Sequence, residues 1–332
     1  MKFSQLTPLA AAIVALGAPL VSVAQTTATT APVGFLTVSV PAGSSSAWSL
    51  PLYNTPVFQS SISSVDSSTS FSLTSASFTA GQYASSPFFV HVQTGNSAGK
   101  FYLISSNTTT QLTVATNGAD LTTLLAMGDQ CEIIAGNTLA SVFGATAPGL
   151  QTGATFDVAD NVFLWNGKSW DTYFNNGTNW KKTGSLGNQN PTIIYPDEGI
   201  FISRRNTSTG VSVTVMGTVP TTKEQTDLAA HDSNGHGSTF IANRFPVDMQ
   251  LSAIGLQNTA NWKSGATFDV ADNVFAWNGH AWDTYFYNGT NWKKTGSLGI
   301  QDTTVIPAGT ALFVTRSSAS GATLSQNLPY TP

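Results

Sequence analysis

Two of the chain's four histidines fall in one short run, His231-Asp232-Ser233-Asn234-Gly235-His236. Histidine beside aspartate and serine invites a catalytic or metal-binding reading. Triad chemistry, however, needs its groups to converge in space rather than in sequence, and Asn and Gly neighbours are ordinary turn formers. The run therefore reads as a turn-rich connection. Asp157-x-x-Asp160-Asn161, repeated as Asp269-x-x-Asp272-Asn273, offers oxygen ligands to calcium. It lacks the glycine and the terminal glutamate of an EF-hand loop, and a turn before a strand explains it. No GxxxxGK or HExxH occurs. We expect no catalytic residue, no metal ligand and no cofactor.

The aromatic residues make a stronger pattern. Gly153 to Gly187 reads GATFDVADNVFLWNGKSWDTYFNNGTNWKKTGSLG, and Gly265 to Gly299 repeats it with 31 of 35 residues identical. Asn166-Gly167 and Asn176-Gly177 are hairpin signals, because type I′ turns need positive φ at both central residues. Two such turns predict a three-stranded meander: Asn161 to Trp165, Lys168 to Asn175 and Thr178 to Lys182. In this register one face collects Phe163, Trp165, Trp170 and Phe174. The other collects Val162, Leu164, Asp171, Tyr173, Trp180 and Lys182, with Asp171 opposite Lys182 and Tyr173 opposite Trp180. Three of the four differences between copies, Leu164→Ala276, Ser169→Ala281 and Asn175→Tyr287, fall on this second face. The first face is therefore expected to meet the core and the second to be wetter. A Tyr–Trp pair beside Asp and Lys suits a sugar ring, whose apolar face stacks while its hydroxyls seek polar partners. Candidate ligand-binding residues are thus Tyr173, Trp180, Asp171 and Lys182, with Tyr285, Trp292, Asp283 and Lys294 in the second copy. Cross-strand aromatic pairs that only stabilise a sheet are the competing explanation. Asn176-Gly177-Thr178 and Asn288-Gly289-Thr290 match glycosylation acceptors, but the turns need the same residues.

The chain's 332 residues are enough for two or three domains with real cores. Roughly a quarter are Ser or Thr and only 9% are charged, well below the ~25% of average soluble proteins. Hydrophobic residues reach 41%, which excludes a disordered chain. A net charge of −4 gives no basic footprint for nucleic acid. Lys2, the apolar run Leu9 to Val23 and Ser22-Val23-Ala24 before Gln25 read as a secretory signal. No transmembrane span is expected in the mature chain. Cys131 is the single cysteine, so no intrachain disulfide forms, and its strand-like surroundings suggest a buried thiol.

Together these features predict an all-β fold: a small β-barrel or sandwich domain plus two tandem antiparallel β modules from internal duplication. The expected divisions are a signal peptide (1–24), a leader with first strands (25–58) and a small barrel-like domain (59–137). The first module (138–220), a polar linker (221–244) and the second module (245–332) follow. Phe88 to Val92, Lys100 to Ser105, Gln111 to Val114 and Cys131 to Ile134 are the barrel's short strands, and Asp120 caps a helical turn. Ser49-Leu50-Pro51-Leu52 echoes Arg244-Phe245-Pro246-Val247. If both enter modules, the 59–137 domain is an insertion.

Asp160-Asn161-Val162-Phe163-x-Trp165, Thr172-Tyr173-Phe174, Trp180-Lys181-Lys182, Pro196-x-x-Gly199-Ile200-Phe201-Ile202 and Gly217-Thr218-Val219-Pro220 recur in order. This pattern resembles an uncharacterised family of exported bacterial proteins of verrucomicrobial type, over most of the mature chain. The second copy departs at Pro307-Ala308-Gly309-Thr310, where the glycine is displaced. The resemblance implies export and architecture, with no activity attached. The expectation is a secreted or cell-surface structural or adhesive protein in the periplasm, at the cell surface or outside the cell. The alternative is a carbohydrate-binding protein with one aromatic site per repeat. Partners would be extracellular polysaccharide or other surface subunits, not nucleic acid.

Overall fold

A computed structural model describes residues 32–185, 187–232 and 237–331. The expected signal peptide lies outside them. The chain is all-β, and it opens with β1 (Val33–Val40) and β2 (Ser45–Trp48).

A closed barrel follows, formed by β3 (Phe58–Val65), β4 (Ser70–Leu73), β5 (Phe88–Val92), β6 (Phe101–Asn107), β7 (Gln111–Ala115) and β8 (Gln130–Ala135) in the order β3-β4-β7-β6-β5-β8. Its interior is packed with Ile62, Phe71, Val90, Leu112 and Ile133, all essentially inaccessible, as a barrel this small requires. The short helix α1 (Leu121–Leu124) plugs it with Leu121, and Asp120 caps that helix by accepting from the Thr122 N–H at 3.0 Å. Cys131 sits in this core, where burial pushes its thiol up to about 12.

Beyond the barrel come β9 (Asn137–Thr138), helix α2 (Leu139–Phe143), β10 (Asn161–Trp165), β11 (Trp170–Asn175), β12 (Trp180–Lys182), β13 (Ile193–Ile194), β14 (Ile200–Ser203) and β15 (Val211–Thr218). They form the sheet β12-β11-β10-β14-β2, with β1 on β15 and β9 on β13. The first module therefore takes its outer strands from both sides of the barrel.

The second module repeats this plan without a barrel. It comprises β16 (Glu224–Leu228), β17 (Gly237–Ala242), β18 (Met249–Gln250), β19 (Asn273–Trp277), β20 (Trp282–Tyr287), β21 (Trp292–Lys294), β22 (Val305–Ile306), β23 (Ala311–Arg316) and β24 (Ala322–Gln326). The sheet is β17-β23-β19-β20-β21, with β24 on β16 and β22 on β18. Ala47 opposes Phe201 as Phe240 opposes Phe313, which makes β2 and β17 counterparts. Between β17 and β18 the second module needs only residues 243–248, where the first carries the barrel. The same register matches Ser49 to Ala242, two residues away from the pairing that the Pro-centred echo suggests.

The expected linker 221–244 must be corrected. It contains β16 and β17, two working strands of the second module. Polar composition hid them: Glu224, Gln225 and Thr226 are buried, so β16 has no apolar alternation to read.

The predicted hairpins also need correction. Each Asn-Gly sits in a four-residue loop rather than a two-residue turn. Asn166 Oδ1 accepts from the N–H groups of Lys168 (3.0 Å) and Ser169 (2.9 Å), while the Asn166 N–H donates to the Ser169 carbonyl. Asn176, Asn278 and Asn288 build the same loop. Only the glycine has positive φ, 90° at Gly167. The asparagine side chain does locally what a backbone carbonyl would do in a turn. Strand pairing moves by two residues: Tyr173 opposes Lys182, and Asn175 opposes Trp180. A shift of two preserves the faces, so the predicted membership of each face survives.

Candidate functional site

The face expected to be wet is the module's own core. Trp180 is fully buried and Tyr173 is 5% exposed, packed with Val162, Leu139, Phe143 and Ile202. The Trp180 indole N–H donates to the Gly144 carbonyl at 2.9 Å. Tyr285 and Trp292 are equally buried in the second module, where the Trp292 indole reaches Gln257 Oε1 at 3.3 Å. The aromatic pairs are therefore not surface platforms. The substitutions between copies had suggested exposure, yet of those on this face only Ser169→Ala281 is exposed, and the Leu164 exchange is one of core volume. Leu164 becomes Ala276 while Leu150 becomes Trp262, and all four pack in their clusters. Compensating changes of this kind keep a core filled.

Asp171 and Lys182 do meet, at 2.7 Å, on the rim of that core, and Asp283 and Lys294 at 2.8 Å. The bond to Asp171 raises the Lys182 pKa. Both groups are partly exposed, so each pair contributes little to stability, about 0–1 kcal/mol.

The first face, expected to meet a core, meets the other module. Trp165, Trp170 and Phe201 pack with Trp277, Trp282 and Phe313 around Ala47, Phe240 and Ala311. The contacts are reciprocal, as in a two-fold dimer. The Trp165 indole N–H donates to the Ser238 carbonyl at 3.0 Å, and the Trp277 indole to the counterpart Ser45 carbonyl at 2.7 Å. Trp165 meets Phe313 edge-on at 4.9 Å, and Trp277 meets Phe201 at 5.2 Å. Backbone bonds cross in pairs too: Ser49 N–H to Gly309 O at 2.8 Å, and Ala242 N–H to Asp197 O at 3.0 Å. The symmetry breaks where counterparts differ in size, at Ala47 and Phe240 and at Gly199 and Ala311.

The acidic repeats are structural. Buried Asp160 pairs with Arg204 and accepts from the N–H groups of Gln151 (2.8 Å) and Arg205 (2.6 Å). Asp272 accepts from the N–H groups of Lys263 and Ser317. Lone pairs bound this way are not free for calcium. No cluster of metal-ligating side chains occurs among the described residues. Of the histidine run, the His231 N–H bonds the Ser318 carbonyl at 2.7 Å, while Ser233 to His236 lie outside the described residues.

A polar cluster that sequence reasoning missed joins the barrel to both modules. His91 on β5 places Nδ1 3.0 Å from Glu132 on β8 and Nε2 3.3 Å from Glu224 on β16. Its ring stacks on Phe101 at 4.0 Å, and the Arg244 guanidinium lies 4.9 Å from the centre of that same phenyl ring. Arg244 bonds Glu224 at 2.7 Å and the Tyr53 hydroxyl at 3.1 Å. Burial alone would lower the His91 pKa, but Glu224 and Glu132 outweigh it and raise it. No spacing in the sequence announces residues 53, 91, 132, 224 and 244 as neighbours. Lys100 and Asp227 add an ion pair along the same seam.

Among the open clefts at the edge of the junction, two are walled by several aromatic rings; others lie between residues 41–48 and Trp277. The first of the two, about 470 Å³, is lined by Trp170, Phe275, Trp282, Thr284, Phe313 and Thr315. The other, about 400 Å³, shares Phe275, Thr284 and Thr315 and continues past Phe268 and Ser317.

The chain matches no family model, no curated protein and no solved structure. No helix among the described residues is long and apolar enough to cross a membrane.

Proposed function

We propose that the protein is an exported, non-catalytic structural or adhesive component of a bacterial surface. The observation that carries this reading is how its buried ionisable groups are used. Arg204–Asp160, Arg244–Glu224 and His91–Glu132 each hold one chain segment against another. Reactive sites instead keep perturbed groups facing an accessible cleft. The reciprocal indole bonds brace the two modules, and the His91–Glu224 contact ties the barrel to them, which suits a load-bearing or displayed part. Ser/Thr-rich, weakly charged surfaces agree with this role. Fractionation of the producing cell, with electron microscopy of the exported material, tests it. The expected result is surface-associated or assembled protein. A strictly monomeric species, released freely into the medium, would count decisively against it.

A further inference from the structure

We infer that the groove running from Trp170 past Phe275 to Phe268 binds a neutral oligosaccharide, at one site per chain. Its floor and walls are rings: Trp170 from the first module, with Trp282, Phe275, Phe313 and the 41% exposed Phe268 from the second. The two clefts run into one another through Phe275, Thr284 and Thr315. Each has the size of an ordinary small-ligand site, and together they are elongated, which fits a run of sugar units better than a compact metabolite.

The chemistry along the groove matches a sugar. Aromatic rings offer flat apolar surface to the C–H face of a pyranose. The Thr284 and Thr315 hydroxyls line both clefts and make no protein hydrogen bond among the described residues. They are free to bond sugar hydroxyls. Of the charged side chains that line it, Arg316 is 2% exposed and faces Asp272, which leaves Asp269 as the accessible charge. A strongly anionic polymer has no cation to meet there.

The duplication does not give two equal grooves. Ser317 lines the second-module groove, where the first-module counterpart is Arg205. Phe313 is braced from behind by Phe240 at 6.1 Å, and Phe240 also supports Trp170 at 5.1 Å. The counterpart of Phe240 is Ala47, which gives no such backing. The site therefore belongs to the junction of the modules and not to each repeat.

The inference deepens the adhesive reading, and its test is separate from that of assembly. Intrinsic tryptophan fluorescence and calorimetry on the mature protein would be run against cellohexaose, xylohexaose, chitohexaose and maltohexaose. The expected result is saturable binding of at least one, with a stoichiometry of one. Phe275→Ala should weaken it about tenfold or more. Thr284→Val, which keeps shape and removes the hydroxyl, should weaken it several-fold without changing thermal unfolding. Phe163→Ala, at the matching first-module position, should leave binding unchanged. No binding of any probe, or equal loss from Phe163→Ala and Phe275→Ala, would overturn the proposal. Either outcome leaves the microscopy of surface assembly to stand or fall by itself.

Discussion

A Cβ placed on Gly199 would lie 2.5 Å from the Cβ of Ala311, its own counterpart in the other module. The two positions meet where the modules exchange contacts, and only one of them has room for a methyl group. The same Cβ would stand 2.6 Å from the Phe240 ring, which is itself buried. Gly199→Ala should therefore force the modules apart and destabilise the protein by about 1–3 kcal/mol. Denaturant titration checks this. An unchanged midpoint would mean that the junction yields more easily than its packing indicates.

Trp180→Ala and Trp292→Ala should each act on folding. Removing a fully buried indole costs about 3–5 kcal/mol. Each variant should lose cooperative unfolding of its own module, as read by calorimetry. A variant of normal stability would contradict the buried placement of these rings.

Arg244→Met should be worse than loss of a surface ion pair. It strips fully buried Glu224 of its guanidinium partner and leaves it only the His91 ring at 3.3 Å. The expected cost is about 3–5 kcal/mol, of the size found when one partner of a buried pair is removed. Arg244→Met combined with Glu224→Gln should recover part of the loss.

Stability should fall as pH rises from about 6 to about 9. His91 has a raised folded-state pKa, so its contribution is complete below its unfolded value of about 6.5 and is lost as pH rises through the folded one. The groups facing it are Glu132, Glu224, Gln93, Tyr53 and, across Phe101, Arg244. Glu198 acts in the same direction. Burial, aided by Asp197, pushes its carboxyl up to about 8, so the folded state binds a proton that the unfolded state has released. Denaturant midpoints across this range should decline in the wild type and decline less in His91→Gln. A midpoint that climbs with pH would show that the imidazolium is not what joins barrel to module.

Much of the architecture is legible in the chain, for identifiable reasons. Phe88–Val92 and Gln111–Ala115 announce themselves by short apolar runs between turn residues. The Ser-rich β3, FQSSISSV, buries only Ile62 fully and carries too little alternation to be seen. Face membership in the repeat is readable because strand parity survives a change of loop. Which face lies inward is not readable, since both are covered: one by its own module, the other by its twin. Substitution between copies was a poor guide to exposure, because Leu150→Trp262 balances Leu164→Ala276 at long range. The ionic seam around His91 joins residues 53 to 244 and leaves no local trace.

The placement of the barrel between β2 and β9 also sets an order of events in time. Every strand pairing of the barrel closes within residues 58–135. The first module must instead wait for distant partners: Trp48 pairs with Ile200, and Val33 with Thr218. Pairings separated this far form late, because loop closure precedes any reward. As the chain folds, the barrel should finish first. It then holds β1 and β2 unpaired on one side until β14 and β15 arrive on the other, so this inserted domain acts as the nucleus on which its host is completed.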